Sequence, residues 1–139
     1  MLKFIIEPYV GAGKILLGMT SKQIQNELVI KPEKFKKSED DEFDTDDFKY
    51  CHVYYKKPGV CEAIEFFGEA KVIINNETIL GKSYTEIKDM FEAIDDSIDF
   101  DATGLTSFKY GVGVYAPFAE DEPDEPVESV IVFEKGYYD

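Results

Sequence analysis

Two segments of the amino-acid sequence resemble each other, and this internal similarity constrains the fold more strongly than any other feature of the chain. Residues 17–24 (LGMTSKQI) return 63 positions later as residues 80–87 (LGKSYTEI). Residues 48–50 (FKY) return 60 positions later as residues 108–110. Similarity at a nearly constant spacing is typical of duplicated structural units. The chain is therefore predicted to be a tandem repeat.

Each repeat is predicted to begin with a strand. Residues 3–7 (KFIIE) have the composition of a strand that ends at Pro8, and residues 71–75 (KVIIN) repeat this pattern 68 positions later. The two strands set the limits of the repeats. Repeat 1 is expected to cover about residues 3–68, and repeat 2 about residues 71–135.

A helix is predicted to follow the first strand in each repeat. Thr20 and Gln23 match the capping box, in which the hydroxyl accepts from the third helical amide while the Gln side chain reaches back. Ser83 and Glu86 repeat the pattern in the second half. Apolar residues at helical spacing then give each helix one face to bury. The predicted helices span about residues 21–28 and 84–94.

A β-hairpin is predicted at the end of each repeat, after an acidic stretch that is expected to be a loop. The acidic stretches are residues 39–47 and 95–101. The predicted hairpin strands are residues 48–55 with 60–67, and 108–115 with 127–133. The second hairpin has six additional residues, which belong to the stretch 117–126. The prolines and acids of that stretch predict an extended, mobile loop.

The order strand, helix, strand, strand in both halves predicts an α+β fold. In this fold, two tandem β-α-β-β repeats form a largely antiparallel sheet with two helices packed on one face. At 139 residues, of which 44% are hydrophobic, the chain is long enough for one domain with its own core over residues 1–139. A pseudo-twofold axis is expected to relate the halves.

Side-chain alternation divides the predicted hairpin residues between two sheet faces, if the hairpin loops are even in length. The face assigned to the helices carries Phe48, Tyr50, His52, Tyr54, Glu65, Phe67, Phe108, Tyr110, Val112, Val114, Ile131 and Phe133. The opposite face, which is the predicted recognition surface, carries Lys49, Val53, Tyr55, Glu62, Ile64, Phe66, Lys109, Gly111, Gly113, Tyr115, Glu128, Val130 and Val132. Cys51 is predicted on the face of Ile64 and Cys61 on the other face, so no disulfide is expected.

The charge of the chain limits its partners. The 29 acidic residues outnumber 15 basic residues, all of which are lysine, and the formal net charge is -14 at pH 7. Because arginine is the usual residue for phosphate and guanine recognition, neither a nucleic acid nor an anionic membrane is expected as a partner. A basic protein is the complementary partner. No apolar stretch has membrane-spanning or signal-peptide length, which predicts a cytoplasmic protein.

The motifs that carry common chemistry are incomplete in this chain. Residues 11–14 (GAGK) lack two of the required residues of a phosphate loop. Residues 99–104 begin like a calcium loop, but Tyr110 occupies the position of the bidentate acid. His52 is the only histidine, and neither cysteine is predicted near a group that would lower its pKa. We therefore expect no enzyme activity, no cofactor and no metal site.

Residues 13–24 (GKILLGMTSKQI) resemble the glycine, apolar, glycine-methionine-threonine signature that opens the first helix in small outer-membrane-assembly lipoproteins and in the β-lactamase-inhibitor-protein-like fold. In the second half Lys82 replaces Met19. The resemblance implies a tandem-repeat sheet with two helices on its back and a concave front that grips another protein. In size, charge and plan, the chain also resembles the small acidic cytoplasmic immunity proteins of bacterial toxin systems, which neutralise a toxin by binding it.

The sequence thus predicts a non-catalytic protein-binding module, most concretely an immunity-type inhibitor of a basic toxin or enzyme, present as a monomer or weak dimer. The predicted partner-binding residues are Lys49, Tyr55, Lys109, Tyr115, Glu120, Asp121, Glu122, Asp124 and Glu125. Two other functions remain open at this point. One is a small-ligand or metal-binding domain with a cavity lined by Tyr50, His52 and Tyr54. The other is a structural or assembly protein that associates with itself through a sheet edge.

Overall fold

The structure is a computed structural model, and it describes residues 2–139. Within these residues the chain has an α+β fold with two helices and two sheets, in which most strand pairs are antiparallel. The helices are α1 (Ser21–Leu28) and α2 (Tyr84–Ile94). The strands are β1 (Lys3–Glu7), β2 (Gly11–Ala12), β3 (Ile15–Leu16), β4 (Glu33–Phe35), β5 (Thr45–Asp47), β6 (Cys51–Lys56), β7 (Val60–Phe67), β8 (Lys71–Ile74), β9 (Glu77–Thr78), β10 (Asp99–Asp101), β11 (Gly104–Ser107), β12 (Val112–Tyr115) and β13 (Ser129–Phe133).

The smaller sheet has five strands in the order β3-β2-β1-β8-β9. At its centre, β1 and β8 run parallel, with Lys3 opposite Lys71 and Phe4 opposite Val72. The other pairs in this sheet are antiparallel. A parallel pair requires a long crossover, because the chain must return to the same end of the sheet before the second strand begins. Here the crossover contains α1 and both strands of the first hairpin.

The larger sheet has eight antiparallel strands in the order β10-β11-β12-β13-β7-β6-β5-β4. Both predicted hairpins belong to it, as β6 with β7 and β12 with β13. The prediction that the acidic stretches are loops is partly wrong, because they contain the short strands β5 and β10. These strands pair with neighbours on the sheet, which supplies backbone partners that local sequence pattern does not reveal. The strands thus form two sheets where one was predicted.

Both helices begin and end at the predicted residues. The Thr20 hydroxyl accepts from the amide of Gln23 at 3.3 Å, and Gln23 Oε1 accepts from the amide of Thr20 at 2.9 Å, which completes the capping box. The Ser83 hydroxyl accepts from the amide of Glu86 at 3.1 Å in the same way. Each cap satisfies one of the amides that the first turn of a helix leaves without an intrahelical acceptor.

The main core contains residues of both helices and both sheets. Ile24 of α1 and Ile87 of α2 are buried in the same cluster as strand residues. Phe4 of the smaller sheet meets Phe66 of the larger sheet with ring centroids 4.7 Å apart. Burial of these large apolar side chains is the main favourable contribution to folding. In the described part of the chain, neither helix has the length and apolar character that crossing a membrane requires.

The predicted sheet faces are wrong in both hairpins. In repeat 1 Val53, Ile64 and Phe66 are buried in the main core, whereas His52, Tyr54 and Glu65 lie on the opposite side. Phe48 and Tyr50, which were predicted on the same face as His52, pack in or against the main core. The side that faces the core carries the more apolar residues. The prediction, which followed the alignment of the two repeats, had exchanged the core side and the opposite side. In repeat 2, β12 was assigned correctly but β13 was not. Val130 and Val132 pair with Val114 and Val112 and are buried, whereas Ile131 and Phe133 lie on the other side.

The hairpin of repeat 1 also shows why Cys61 was predicted on the wrong face of the sheet. Lys56 lies opposite Val60, so the loop has three residues, and the register shifts between Tyr54 and Tyr55. Such a bulge moves the following side chains to the other face. As a result Cys51 and Cys61 are both buried in the main core, and both are free thiols. The prediction of unbridged cysteines is confirmed, although the two residues share one side of the sheet.

Candidate functional site

The acidic segment, defined as residues 117–126, folds back onto the first turn of α2. The amide of Thr85 donates to the carbonyl of Pro123 at 2.9 Å, and the amide of Tyr84 donates to the carbonyl of Glu125 at 3.0 Å. The Thr85 hydroxyl also lies 3.2 Å from Asp124 Oδ1. These bonds use amides that the helix cannot satisfy itself, and the carboxylates are favourable beside the positive end of the helix dipole. The segment is a series of turns rather than the extended loop predicted.

An open groove lies between α2, β10 and the acidic segment, with a volume of about 550 Å³. We call it the acidic groove; its lining residues are Tyr84, Thr85, Lys88, Asp89, Glu92, Phe100, Asp101, Ala119, Glu120 and Pro123. Four of these residues are acidic and one is basic. Phe100 is 44% exposed, and the ammonium of Lys88 lies 5.7 Å from its ring centroid. The groove therefore combines an exposed aromatic side chain with an excess of negative charge.

The acids of the segment keep their charges facing solvent. The five predicted binding residues Glu120, Asp121, Glu122, Asp124 and Glu125 are all exposed. Across residues 2–139, no lysine or histidine lies within 4.0 Å of their carboxylates. Lys88, the one base in the groove, lies 3.9 Å from Glu92. Of the five acids, Glu120 lines the acidic groove. Unpaired carboxylates in and beside a groove raise the local concentration of cations.

The larger sheet has a side that faces away from the main core, which we call the open sheet face and which carries His52, Tyr54, Glu65, Ile131 and Phe133. Tyr54 and Phe133 are buried there in a smaller cluster, against which Tyr9 and Tyr137 pack. Glu65 accepts from the Tyr54 hydroxyl at 2.5 Å and from the Ser129 hydroxyl at 2.8 Å. These donors hold the carboxylate in one position. Burial, together with the hydrogen bond to Glu65, raises the pKa of Tyr54 above its ordinary value, and burial is the larger cause. The phenol therefore keeps its proton.

A second groove, of about 220 Å³, lies on the open sheet face next to β10. We call it the open-face groove; its lining residues are Glu65, Asp101, Thr103, Leu105, Thr106, Gly113, Val114, Tyr115, Ser129, Ile131 and Tyr138. Gly113 forms part of the floor, and a Cβ atom there would lie 2.9 Å from Ile131 Cγ2. Asp101 borders both grooves. The edge strand β10 thus has a concave surface on each side.

The predicted lysine and tyrosine sites are dispersed. Tyr115 is 45% exposed and lines the open-face groove. Tyr55 lies on the core side, not on the open side as predicted, because its hydroxyl donates to the buried carboxylate of Asp46 at 2.6 Å. Lys109 donates to the carbonyl of Ile94 at 2.8 Å, at the negative end of the α2 dipole. Lys49 is exposed in a turn, 5.6 Å from the Tyr50 ring.

The residues predicted to line a ligand cavity do not meet. Tyr50 packs against the main core, and Tyr54 belongs to the cluster on the open sheet face. His52 lies between Phe35 and Phe67, with ring centroids 5.1 and 4.7 Å away. This arrangement packs the imidazole between aromatic side chains.

The cysteines are poorly suited to nucleophilic chemistry in this fold. Burial, the largest cause, raises the pKa of Cys61 to about 12, and burial together with the neighbouring Cys61 raises that of Cys51. At neutral pH both groups are therefore thiols, whereas the thiolate is the nucleophile and the metal ligand. Within residues 2–139, no three His, Cys, Asp or Glu side chains are grouped so that they could hold a metal ion.

Of the residues that line the acidic groove, only Glu120 is among the predicted binding residues, and Phe100, Asp89 and Glu92 are among those not predicted. Phe100 stands between Asp99 and Asp101 in the sequence, and an isolated aromatic residue within an acidic stretch is the signal that could have identified it. Comparisons of the chain with protein-family models, with curated proteins and with solved structures gave no match. The function is accordingly argued from the geometry of the grooves.

Proposed function

We propose that this protein is a non-catalytic binding module for a basic protein, and most concretely an immunity-type inhibitor of a basic toxin or enzyme. The observation that carries the proposal is the half-exposed Phe100 in a groove with four acids. Burying the exposed part of this side chain against a partner contributes about 1 kcal/mol, because full burial of an exposed Phe is worth about 1.5–3 kcal/mol. The surrounding carboxylates select a partner segment that carries lysine or arginine, and they repel anions.

We infer a duplicated architecture from the pairing of the strands. β1 and β8 pair with Lys3 opposite Lys71, which is the spacing of 68 at which their sequences repeat. β7 and β13 pair in antiparallel orientation with Glu65 opposite Ile131, and these positions are equivalent in the sequence repeat. An antiparallel pair in which a residue faces its own equivalent is what a pseudo-twofold axis through that pair would produce.

Contacts outside the paired strands recur in the same way. Thr20 forms an isolated bridge with Val60, and Ser83 forms one with Pro126. The amide of Cys61 donates to Met19, and that of Val127 donates to Lys82, at 2.8 and 3.0 Å. Contacts that both halves share serve the fold. The acidic segment is the largest feature that the second half has alone, and this favours it as a part of the functional site.

The experiment is affinity capture with matched charge variants. One bait carries Asp89→Asn and Glu120→Gln, which remove two charges from the acidic groove. The control bait carries Glu39→Gln and Asp40→Asn, which remove two exposed charges from a different loop. We expect the control to retain a basic partner that the groove variant loses. A partner that both variants retain equally would show that the acidic groove is not its binding site.

The captured partner then allows the contributions of charge and of Phe100 to be separated. The association rate should fall by about tenfold or more between low and high salt, because clustered acids steer a cationic partner. Phe100→Ala should weaken the complex by about tenfold or more, as expected for a central aromatic anchor. Phe118→Ala is the control, because Phe118 is 57% exposed and does not line the groove. A salt-independent association rate would exclude the steering role.

Inhibition is tested with the purified partner. If the protein is an immunity-type inhibitor, an equimolar amount should suppress the toxic or enzymatic activity of that partner, and the groove variant should suppress it less. A basic toxin encoded by a neighbouring gene is the first candidate for this assay. A tight complex that leaves the activity of the partner unchanged would support a binding module without an inhibitory role.

A further inference from the structure

We propose that the basic partner binds as an additional antiparallel strand on the free edge of β10, with its side chains alternating between the acidic groove and the open-face groove. This inference rests on the proposed function and specifies the form of the ligand. The ligand would be an extended basic segment, and main-chain hydrogen bonds to β10 would hold it. Recognition by strand addition combines affinity from the backbone with selection by side-chain pockets.

The position of β10 in the sheet makes its backbone accessible. β10 is the last strand of the larger sheet and has β11 as its single strand neighbour. Its three residues Asp99, Phe100 and Asp101 are all exposed. An edge strand has peptide groups on its outer side that another strand can bind. The outer edge of β10 is therefore a template for strand addition.

The side chains of β10 alternate between the two sides of the sheet, each of which has a groove next to this strand. Phe100 lies opposite Leu105, which is buried in the main core, so Phe100 projects on the core side and lines the acidic groove. Asp99 and Asp101 flank Phe100 and therefore project on the opposite, open side, and of these two Asp101 lines the open-face groove. A strand added next to β10 follows the same period of two residues. Its successive side chains would enter the acidic groove and the open-face groove in turn.

The charges of both grooves specify a basic segment. Asp89, Glu92 and Glu120 surround the outer edge of β10 on the core side. Glu65 and Asp101 are the charged residues of the open-face groove. Oppositely charged side chains that face each other on neighbouring strands stabilise the pair. Lysine or arginine at alternating positions lies on one side of the added strand, and carboxylates are present on whichever side of the sheet these residues occupy.

The same charges disfavour a second copy of this chain as the occupant. If β10 paired with β10 of another copy around Phe100, then Asp99 of each chain would lie opposite Asp101 of the other. Like charges directly opposite each other are destabilising, and acidic edges protect proteins from edge-to-edge association. The occupant is thus a segment of opposite charge.

The test uses the full-length protein and three synthetic peptides of identical charge. The probe is an acetylated and amidated seven-residue peptide in which lysine and valine alternate. The second and third peptides carry N-methyl groups on one or the other alternating set of amides, which removes hydrogen-bond donors from one side of a strand only. We expect one methylated peptide to bind about tenfold more weakly than the probe and the other to bind like the probe, since each lost hydrogen bond costs up to about tenfold in affinity. Amide hydrogen exchange should also slow at Asp99–Asp101 when the probe binds.

Two variants of the protein test whether the peptide binds next to β10. Asp99→Lys places a positive charge on β10 and should lower the affinity for the probe by about tenfold, because the new lysine repels the lysines of an adjacent strand. Asp40→Lys makes the same charge change at an exposed position outside both grooves and should have a much smaller effect. Equal losses in the two variants would show that net charge alone attracts the peptide.

The outcomes separate this inference from the proposed function. If both methylated peptides bind as tightly as the probe, or if the probe does not bind, strand addition on β10 is overturned. The binding module still stands in that case, provided that the captured partner depends on Asp89 and Glu120. Dimers of the free protein that dissociate on addition of the probe would instead make a second copy the occupant of the edge and would also overturn the inference.

Discussion

The hydroxyl of Tyr55 donates a hydrogen bond to Oδ2 of Asp46 at 2.6 Å, and the Asp46 side chain is fully buried. The same carboxylate accepts from the ammonium of Lys34 at 2.6 Å and from the hydroxyl of Ser21. These donors come from α1, β4 and β6, so one carboxylate connects three elements to β5. A buried charge is tolerated when its oxygens are satisfied in this way.

The Asp46 network predicts a graded loss of stability. Tyr55→Phe removes one hydrogen bond to a buried carboxylate and should lower the free energy of unfolding by about 1.5–3 kcal/mol. Asp46→Ala removes the acceptor of three donors and should cost about 3–5 kcal/mol. The measurement is urea denaturation at pH 7 with Tyr115→Phe as the control, because Tyr115 is exposed. If Tyr55→Phe behaves like Tyr115→Phe, the hydroxyl of Tyr55 does not stabilise Asp46.

Alkaline pH should destabilise the protein. Burial raises the pKa of Cys61 to about 12 and also raises the pKa of Cys51. In the unfolded chain these thiols lose their protons near their ordinary pKa of about 8.5, while the folded chain still retains them. Their contribution to stability is therefore complete below about pH 8 and decreases as pH rises toward 12, by up to about 1.4 kcal/mol per pH unit for each thiol.

The loss of stability at alkaline pH is measured by urea denaturation under reducing conditions between pH 7.5 and 10.5. Cys51→Ala leaves one buried thiol and should reduce the slope of stability against pH in this range. A thiol reagent at pH 8 should react rapidly with the unfolded chain and slowly with the folded chain. Stability that stays constant up to pH 10.5 would contradict the burial of these groups.

The two helix caps should contribute similar amounts. Thr20→Ala and Ser83→Ala each remove the side-chain acceptor for an amide of the first helical turn. Each substitution should lower the free energy of unfolding by about 1 kcal/mol. Thr20→Ser and Ser83→Thr retain the hydroxyl and should have little effect. If removing a cap leaves the free energy of unfolding unchanged, water satisfies the amide of the first helical turn as well as the side-chain hydroxyl does.

Gly113 should be sensitive to a single added methyl group. A Cβ atom at this position would lie 2.9 Å from Cγ2 of Ile131, which is its partner across the β12–β13 pair. Gly113→Ala should therefore destabilise the protein by about 1–3 kcal/mol. Ile131→Ala removes the contacting atom, so the double variant should be more stable than the sum of the single effects predicts. Additive effects would mean that the sheet relaxes around the new methyl group.

Features that depend on neighbouring residues in the chain were predictable from the sequence. The bounds of α1 and α2 followed from Thr20, Ser83 and the apolar spacing after them, because capping is a contact over three residues. The two hairpins were found for the same reason. The sheet faces were not predictable, since the three-residue loop and the bulge at Tyr54 and Tyr55 change the alternation that the prediction assumed.

The candidate site shows the same division. The acidic composition and the position of Glu120 within the acidic segment could be identified from the sequence. The groove around Phe100 could not, because the acidic segment is distant in sequence from the start of α2 and reaches it only through the bonds that the amides of Tyr84 and Thr85 donate to the segment. Tyr55 is predicted to take part in recognition, but its hydroxyl donates to the buried carboxylate of Asp46 on the neighbouring strand.

The sequence by itself determined the helices, the hairpins, the internal similarity and the negative charge, because each depends on local pattern or on composition. Tertiary structure decided which side of each strand is buried, how the strands divide into two sheets, and where acidic residues line a groove. These outcomes depend on contacts between distant residues, of which the β1–β8 pair and the docking of the acidic segment on α2 are examples. Packing selects one arrangement among several that the local pattern allows.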